Sequence, residues 1–381
     1  MPTATSDDFL SGQGVPVELQ NVETELTRLW GPAAEQIGGP DLEHPNVTRI
    51  ALANLVVMRR SADADRLQKD LDTVSERYPS RTIVLCRSDE PGRAIRAEIS
   101  ALCHLPAPGL PQVCSERIIL RAGPEAIDLI PGAVRPLLEA DLPFILWWTE
   151  DPRTDEALFR DLGDESSRLI LDLPDPGASP AALKLGLDPA ICPHSRDTAW
   201  FGLARWRELI AQFFDPPYQE NLNRIDTLTI EALAPANSTP PRLAVWLAAW
   251  LAGQLNWTPL NRPESSPGKL LARFQGPSGE VKVEIRTESD PSLPASQLLS
   301  TTLTTRALRD AKAERFRLVR SSKSSPDVRV EIDSSSYCTL PRTVLAPELD
   351  PARRVSAALE SSRLDPPFQN ALPHTLWLLG T

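Results

Sequence analysis

The chain has 381 residues, enough for two or three domains and a sizeable core, so a small stapled scaffold is excluded. Its 40 Lys and Arg against 51 Asp and Glu leave a net charge of −11, which opposes non-specific attraction to nucleic acid or anionic lipid. Hydrophobic residues at 41% and charged residues at 24% are ordinary for a globular protein, whereas 38 Pro against 18 Gly calls for stiff, extended connections. The longest apolar run, Leu243 to Gly253, falls short of the roughly 18 residues that a membrane span needs. The amino terminus carries Asp7 and Asp8 with no basic or apolar signal pattern, so a cytoplasmic location is expected. Five scattered cysteines, Cys86, Cys103, Cys114, Cys192 and Cys338, read as reduced thiols.

Leu19, Val22, Leu26 and Leu29 predict a first helix that ends at Gly31-Pro32, followed by a linker over 38–45. The β-branched run 47–57 predicts a strand. A helix follows, started by Ser61, Asp63 and Asp65 and burying Leu67, Leu71, Val74 and Tyr78; Thr82 to Cys86 is a second strand. Strand, helix, strand is a parallel βαβ unit. Ile95 to Leu105 alternates as a half-buried strand, with Cys103 on the core side and His104 on the other. Further strands are predicted at 114–121, 144–148 and 168–173, with a helix over 127–138 broken by Pro131 and Pro136.

The stretch 174–193 has room for at most one short helix. Leu203, Trp206, Ile210 and Phe213 then mark a helix stopped by Asp215-Pro216-Pro217. Strands are expected at 225–230, 271–274, 281–285, 316–319 and 328–332, with an apolar helix over 242–255 and two late helices, the first opened by Asp350-Pro351. The fold class is therefore α/β: two α/β domains with mixed sheets covered by helices. The divisions are an N-terminal helix and linker over 1–40, one domain over 41–195 and another over 196–381.

Phosphate cradling needs closely spaced glycines at a strand-to-helix turn, and neither Gly12-Gln13-Gly14 nor Gly268-Lys269 supplies them. No nucleophile elbow or H-E-x-x-H pair is present, and four His are few for acid–base work. Cys103 and His104 point to opposite faces of a strand, which argues against a joint zinc site. Catalytic residues, cofactors and metals are thus expected to be absent. Nine Trp against three Tyr is a skewed ratio, with Trp147-Trp148 adjacent on a strand and Arg205-Trp206-Arg207-Glu208 on one helix. Trp and Arg dominate protein interfaces. Trp147, Trp148, Arg205, Trp206, Arg207 and Glu208 are the candidate partner-binding residues, against the alternative that the Trp are core and the Arg solvated.

The blocks Cys114-Ser115-Glu116-Arg117-Ile118, Asp141 to Trp148, Asp197 with Trp200, and Trp206 to Pro216 resemble the glucose-6-phosphate dehydrogenase assembly protein family, OpcA. The Ala- and Trp-rich helix to Trp257 fits the same pattern, and the resemblance runs from about residue 45 to about 290. It implies a non-catalytic assembly factor and allosteric activator that binds glucose-6-phosphate dehydrogenase and promotes its active oligomer in the oxidative pentose phosphate pathway. The family is known from photosynthetic bacteria such as cyanobacteria, with redox regulation and thioredoxin as a second partner. Cys192 and Cys338, in Pro- or Ser-bordered segments, are the candidate exposed redox thiols, and Cys103 is expected to be inert core. The alternative is a degenerate α/β enzyme or sensor that binds a sugar phosphate or nucleotide.

Overall fold

The computed structural model describes residues 12, 14–36, 47–60, 64–105, 112–175, 177–293, 295–309, 312–334, 340–362 and 364–380. It has two compact units, each assembled from separated stretches. Residues 1–172, 186–196 and 351–363 make the first, and 173–185, 197–350 and 364–381 the second.

In the first unit, β1 (Val15–Val17) precedes α1 (Val22–Gln36), which buries Val22, Leu26 and Leu29 and runs on through Gly31-Pro32. The expected stop is overridden: losing one backbone bond at Pro32 does not end a helix held along its apolar stripe. The expected linker falls outside the described residues. The run 47–57 divides into β2 (Val47–Arg49), which pairs with β6, and β3 (Asn54–Arg60), which pairs with β4. Then come α2 (Ala64–Arg77), β4 (Arg81–Arg87), β5 (Ile95–His104) and β6 (Gln112–Ala122). Leu71 and Val74 of α2 are buried, and β3 and β4 are parallel, as the βαβ pattern predicts. The helix expected around 127–138 is split into α3 (Ile130–Val134) between two 3-10 turns, because Pro131 and Pro136 interrupt its ladder. Next are β7 (Phe144–Trp148), α4 (Glu156–Glu165) and β8 (Arg168–Leu171); the short α5 (Pro180–Gly186) falls in the stretch given to the second unit, and β9 (Ser195–Asp197) returns to the first.

The first sheet has the order β1-β5-β6-β4-β3-β7-β8-β9, with β2 beside β6. Strands β6, β4, β3, β7 and β8 run parallel, and β5 is antiparallel to β6. Cys103 and Cys114 face each other in that antiparallel register with Cα atoms 4.1 Å apart, and they form a disulfide. This corrects the expectation of reduced thiols and an inert Cys103. Leu105, expected on the core face, is 53% exposed beyond the end of β5.

After α5, the second unit continues with α6 (Thr198–Gly202), α7 (Ala204–Gln212), β10 (Ile225–Leu233) and α8 (Arg242–Gln254). The strands β11 (Thr258–Pro259), β12 (Glu264–Ser266), β13 (Lys269–Gly276), β14 (Gly279–Glu288), β15 (Gln297–Thr305), β16 (Arg315–Arg320), β17 (Asp327–Asp333) and β18 (Arg342–Leu345) follow. Of the two last helices, α9 (Pro351–Glu360) returns to the first unit, where Glu360 pairs with Arg77 of α2 at 2.9 Å; α10 (Pro366–Leu378) stays in the second.

The second sheet is ordered β11-β13-β14-β10-β15-β16-β17-β18, with β12 beside β13, and is antiparallel except for β10 with β14. One face carries Leu228, Ile230, Val283, Ile285, Leu303, Phe316 and Leu318, all buried. Helix α8 is buried all round from Leu243 to Ala249, which explains its lack of a polar face. A Cβ at Gly253 would lie 2.5 Å from the Asn370 carbonyl oxygen of α10, so the two helices approach this closely only because residue 253 has none. The opposite sheet face is charged. There Glu284, 4% exposed, is ringed by Lys269 at 2.9 Å, Arg286 at 2.9 Å and Lys282 at 3.7 Å. Its carboxyl is held down to about 2, chiefly by the hydrogen bond from Arg286, against the opposing effect of burial.

Candidate functional site

The site grows from Asp197, a fully buried carboxylate at the start of α6. Its Oδ1 accepts the Ala199 amide at 2.9 Å, capping the helix. Its Oδ2 accepts Trp246 Nε1 at 2.8 Å and lies 3.3 Å from Arg242 Nε. Arg242 also donates to the carbonyls of Leu173 and Pro174, at 2.8 and 3.3 Å, and its backbone amide to Asp175 Oδ1 at 2.8 Å. A buried carboxylate with this many donors is satisfied and positions α6 against α8.

That placement sets Trp200 edge-on to Trp246 and Phe368, with centroids 5.6 and 5.5 Å apart, while Trp246 and Phe368 stack at 4.9 Å. Trp200 Nε1 donates to Asp365 Oδ2 at 2.9 Å, and Asp365 Oδ1 accepts the Phe368 amide at 3.1 Å as the cap of α10. Over the Trp200 ring, 3.6 Å from its centroid, lies the guanidinium of Arg207 from α7. Arg207 is half-buried, and none of its side-chain N–H groups has a hydrogen-bond acceptor among the described residues. Burial pushes its pKa down to about 10, against the pull of the Asp365 charge. Such a guanidinium can present a planar fork of donors to a carboxylate or phosphate.

The other candidate residues are placed differently. Trp206 is 2% exposed, with the Arg320 guanidinium 5.7 Å from its ring centroid, so it is a core residue. Arg205 is half-exposed, donating to the Leu345 carbonyl at 3.1 Å and to Glu208 at 2.8 Å, and Glu208 is exposed. Trp147 and Trp148, in the first unit, are both buried, at 1% and 0% exposure. Strand β7 lies between β3 and β8 and is buried on both faces, so each Trp has a covering layer. Trp148 meets Phe159 of α4 edge-on at 5.0 Å. Neither Trp147, Trp148 nor Trp206 offers a surface to a partner in this conformation.

Cys192, expected to be exposed, is 1% exposed, with its Sγ 3.7 Å from both the Ser166 hydroxyl and carbonyl oxygens. Cys338 lies outside the described residues. The block Cys114 to Ile118 is a structural hub: Glu116 accepts Trp30 Nε1 and pairs with Arg49 at 2.8 Å, while Arg117 bonds Ser100, Gln68 and the Gly12 carbonyl. At the carboxyl ends of β4 and β7, where open parallel sheets bind nucleotides, Arg87 is paired with Glu150 at 3.1 Å and with Asp155. Carboxylates there oppose a bound phosphate. Among the described residues no His, Cys, Asp and Glu cluster could hold a metal ion, and no helix is long and apolar enough to cross a membrane. Sequence reasoning missed Trp200 as the platform and Asp365 as its anchor; the one available signal was Asp365-Pro366-Pro367, a helix start.

Two family models match the chain: one described as the glucose-6-phosphate dehydrogenase subunit N-terminal domain over residues 71–185, the other as the C-terminal domain of that subunit over residues 193–372. A protein of Synechococcus elongatus assigned to the OxPP cycle under the name OpcA is 29% identical over 225 residues, 58% of this chain and 47% of that one. Its namesake in Synechocystis is 29% identical over 197 residues, 50% of this chain and 40% of that one. The chain thus spans about half the length of these curated relatives or less. Among solved structures, the oxidoreductase yvaA of Bacillus subtilis matches at a TM-score of 0.41 and 9% identity, over 86% of this chain and 94% of that one, a loose likeness. With the two models covering well over half of its length, the chain belongs to the OpcA family of glucose-6-phosphate dehydrogenase assembly proteins.

Proposed function

We propose that this protein is a non-catalytic partner of glucose-6-phosphate dehydrogenase that binds the enzyme, promotes its active oligomer and raises its activity in the oxidative pentose phosphate pathway. The observation that carries the reading is the pair of family matches, both described as domains of a subunit of that dehydrogenase. Activation requires tighter binding to the active state of the enzyme than to the inactive one, by about 1–3 kcal/mol for a typical coupling. The setting we propose is the cytosol, with thioredoxin as a second partner.

The test is size-exclusion chromatography with light scattering on the chain mixed with the dehydrogenase of the same organism, beside the enzyme's saturation curve with and without the chain. A co-eluting complex with a lower KM or higher kcat is expected. No complex and no kinetic change, under oxidising and reducing conditions alike, overturns the reading.

A further inference from the structure

The Arg207 guanidinium is oriented but chemically incomplete. Trp200 holds it 3.6 Å above its ring centroid, and the Trp200 indole is in turn fixed by Asp365 at 2.9 Å. Asp365 sits nearby, yet both its oxygens are already engaged, one by Trp200 and one by the Phe368 amide, and neither comes within ion-pair distance of Arg207. The neighbouring cations on this unit find acceptors: Arg205 has the Leu345 carbonyl and Glu208, Arg242 has Asp197, and Arg320 has the Leu298 carbonyl and Glu348. Arg207 Nε–H is shut off from solvent without an acceptor among the described residues. A buried donor left unpaired costs about 1–3 kcal/mol, more when charged, so a retained one calls for an explanation. A rigid cation that already bears the cost of desolvation and has donors to spare is a preorganised receptor.

We infer that Arg207, stacked on Trp200, binds an oxyanion supplied from outside this chain, a carboxylate or phosphate taken by its planar fork of N–H donors. The oxyanion comes either from an acidic side chain of the partner enzyme or from a free anion that accompanies it. With the partner as the source, the inference rests on the proposed association and names the chemistry of one contact in it.

The test uses the full chain as wild type, Arg207→Met, which keeps apolar contact with Trp200 and removes the charge, and Arg207→Lys, which keeps the charge and removes the fork. Inorganic phosphate is titrated at constant ionic strength while the Arg207 Nε–H resonance and the thermal midpoint are followed. Affinity for the dehydrogenase is measured in parallel. The inference predicts a phosphate-dependent shift of the Arg207 resonance, a loss of affinity for the enzyme of about tenfold or more in Arg207→Met, or both, with Arg207→Lys intermediate.

Wild-type binding to the enzyme that Arg207→Met leaves unchanged, with no response to phosphate, overturns the inference and leaves the association standing. A phosphate response in a protein that does not bind the enzyme overturns the association and assigns the site to a free anion. Neither response overturns both. Should Arg207→Met fail to fold, the wild-type resonance and Arg207→Lys decide.

Discussion

Arg207 reaches back across one helical turn and a short break to cover the face of Trp200, its guanidinium carbon 3.6 Å from the ring centroid. A charge reversal there would set a glutamate beside Asp365 and uncover an indole, so it tests the fold as much as the surface. Arg207→Met is the better probe. The loss of the cation–π contact, about 0.5–2 kcal/mol, is offset in part by removing a desolvated charge. We expect unfolding free energy to change by no more than about 1 kcal/mol in urea titrations; a larger loss makes Arg207 a structural residue.

Gly253 sets how near α8 can come to α10. In Gly253→Ala the new methyl would meet the Asn370 carbonyl at 2.5 Å, so the helices must separate. Overpacking of this kind costs about 1–3 kcal/mol, against about 1 kcal/mol gained in helix propensity. A net loss of up to about 2 kcal/mol is expected in chemical denaturation, and a stabilised Gly253→Ala would refute the close approach.

Glu284 predicts an acid-dependent contribution to stability. Its pKa is lowered from 4.5 to about 2 in the folded chain, so its charge favours the folded state above pH 4.5, and that advantage fades as pH falls from 4.5 toward 2. The ringing cations are half-exposed, which reduces the value of the pairs to about 1–2 kcal/mol. Glu284→Gln should be less stable than wild type by that amount at pH 7, and the gap should close as the pH approaches 2. A gap that stays constant between pH 5 and pH 2 would show that the packing of residue 284, rather than its charge, is responsible.

The four cysteines among the described residues are expected to divide into two classes. Alkylation of the native protein should leave Cys86 and Cys192 unmodified because both are buried, and Cys103 and Cys114 should be recovered as one linked peptide pair in non-reducing digests. Reduction before alkylation should release that pair. Rapid labelling of Cys192 without reductant would contradict its burial against Ser166.

Much of the fold is legible in the sequence where one physical signal dominates. The apolar face of α2, the covered run of β4 and the prolines that split α3 each speak locally. Strand β15 does not: its Ser and Thr residues read as loop, and it becomes a strand because β10 and β16 flank it. The disulfide is hidden for a similar reason, since only the β5–β6 register brings Cys103 opposite Cys114. The candidate site was half legible. Composition singled out Trp and Arg, but not that Trp206 faces the core while Arg207, one residue on, folds over Trp200. Likewise the Pro beside Cys192 says nothing about the Ser166 backbone that covers it.

The division of the chain also bears on how the protein is made. The first unit lacks α9 until residue 363 has been synthesised, and the second lacks α10 until the stretch 364–381 has followed. Neither unit can therefore complete its core as the chain emerges from the ribosome, where domains ordinarily fold from the amino end onward. Helix α2 must wait, with the surface that α9 will cover open, through the translation of more than 150 intervening residues (197–350). A nascent chain stalled before residue 351 should be held by chaperones or degraded, and the emergence of residues 351–381 is the event that lets both units close.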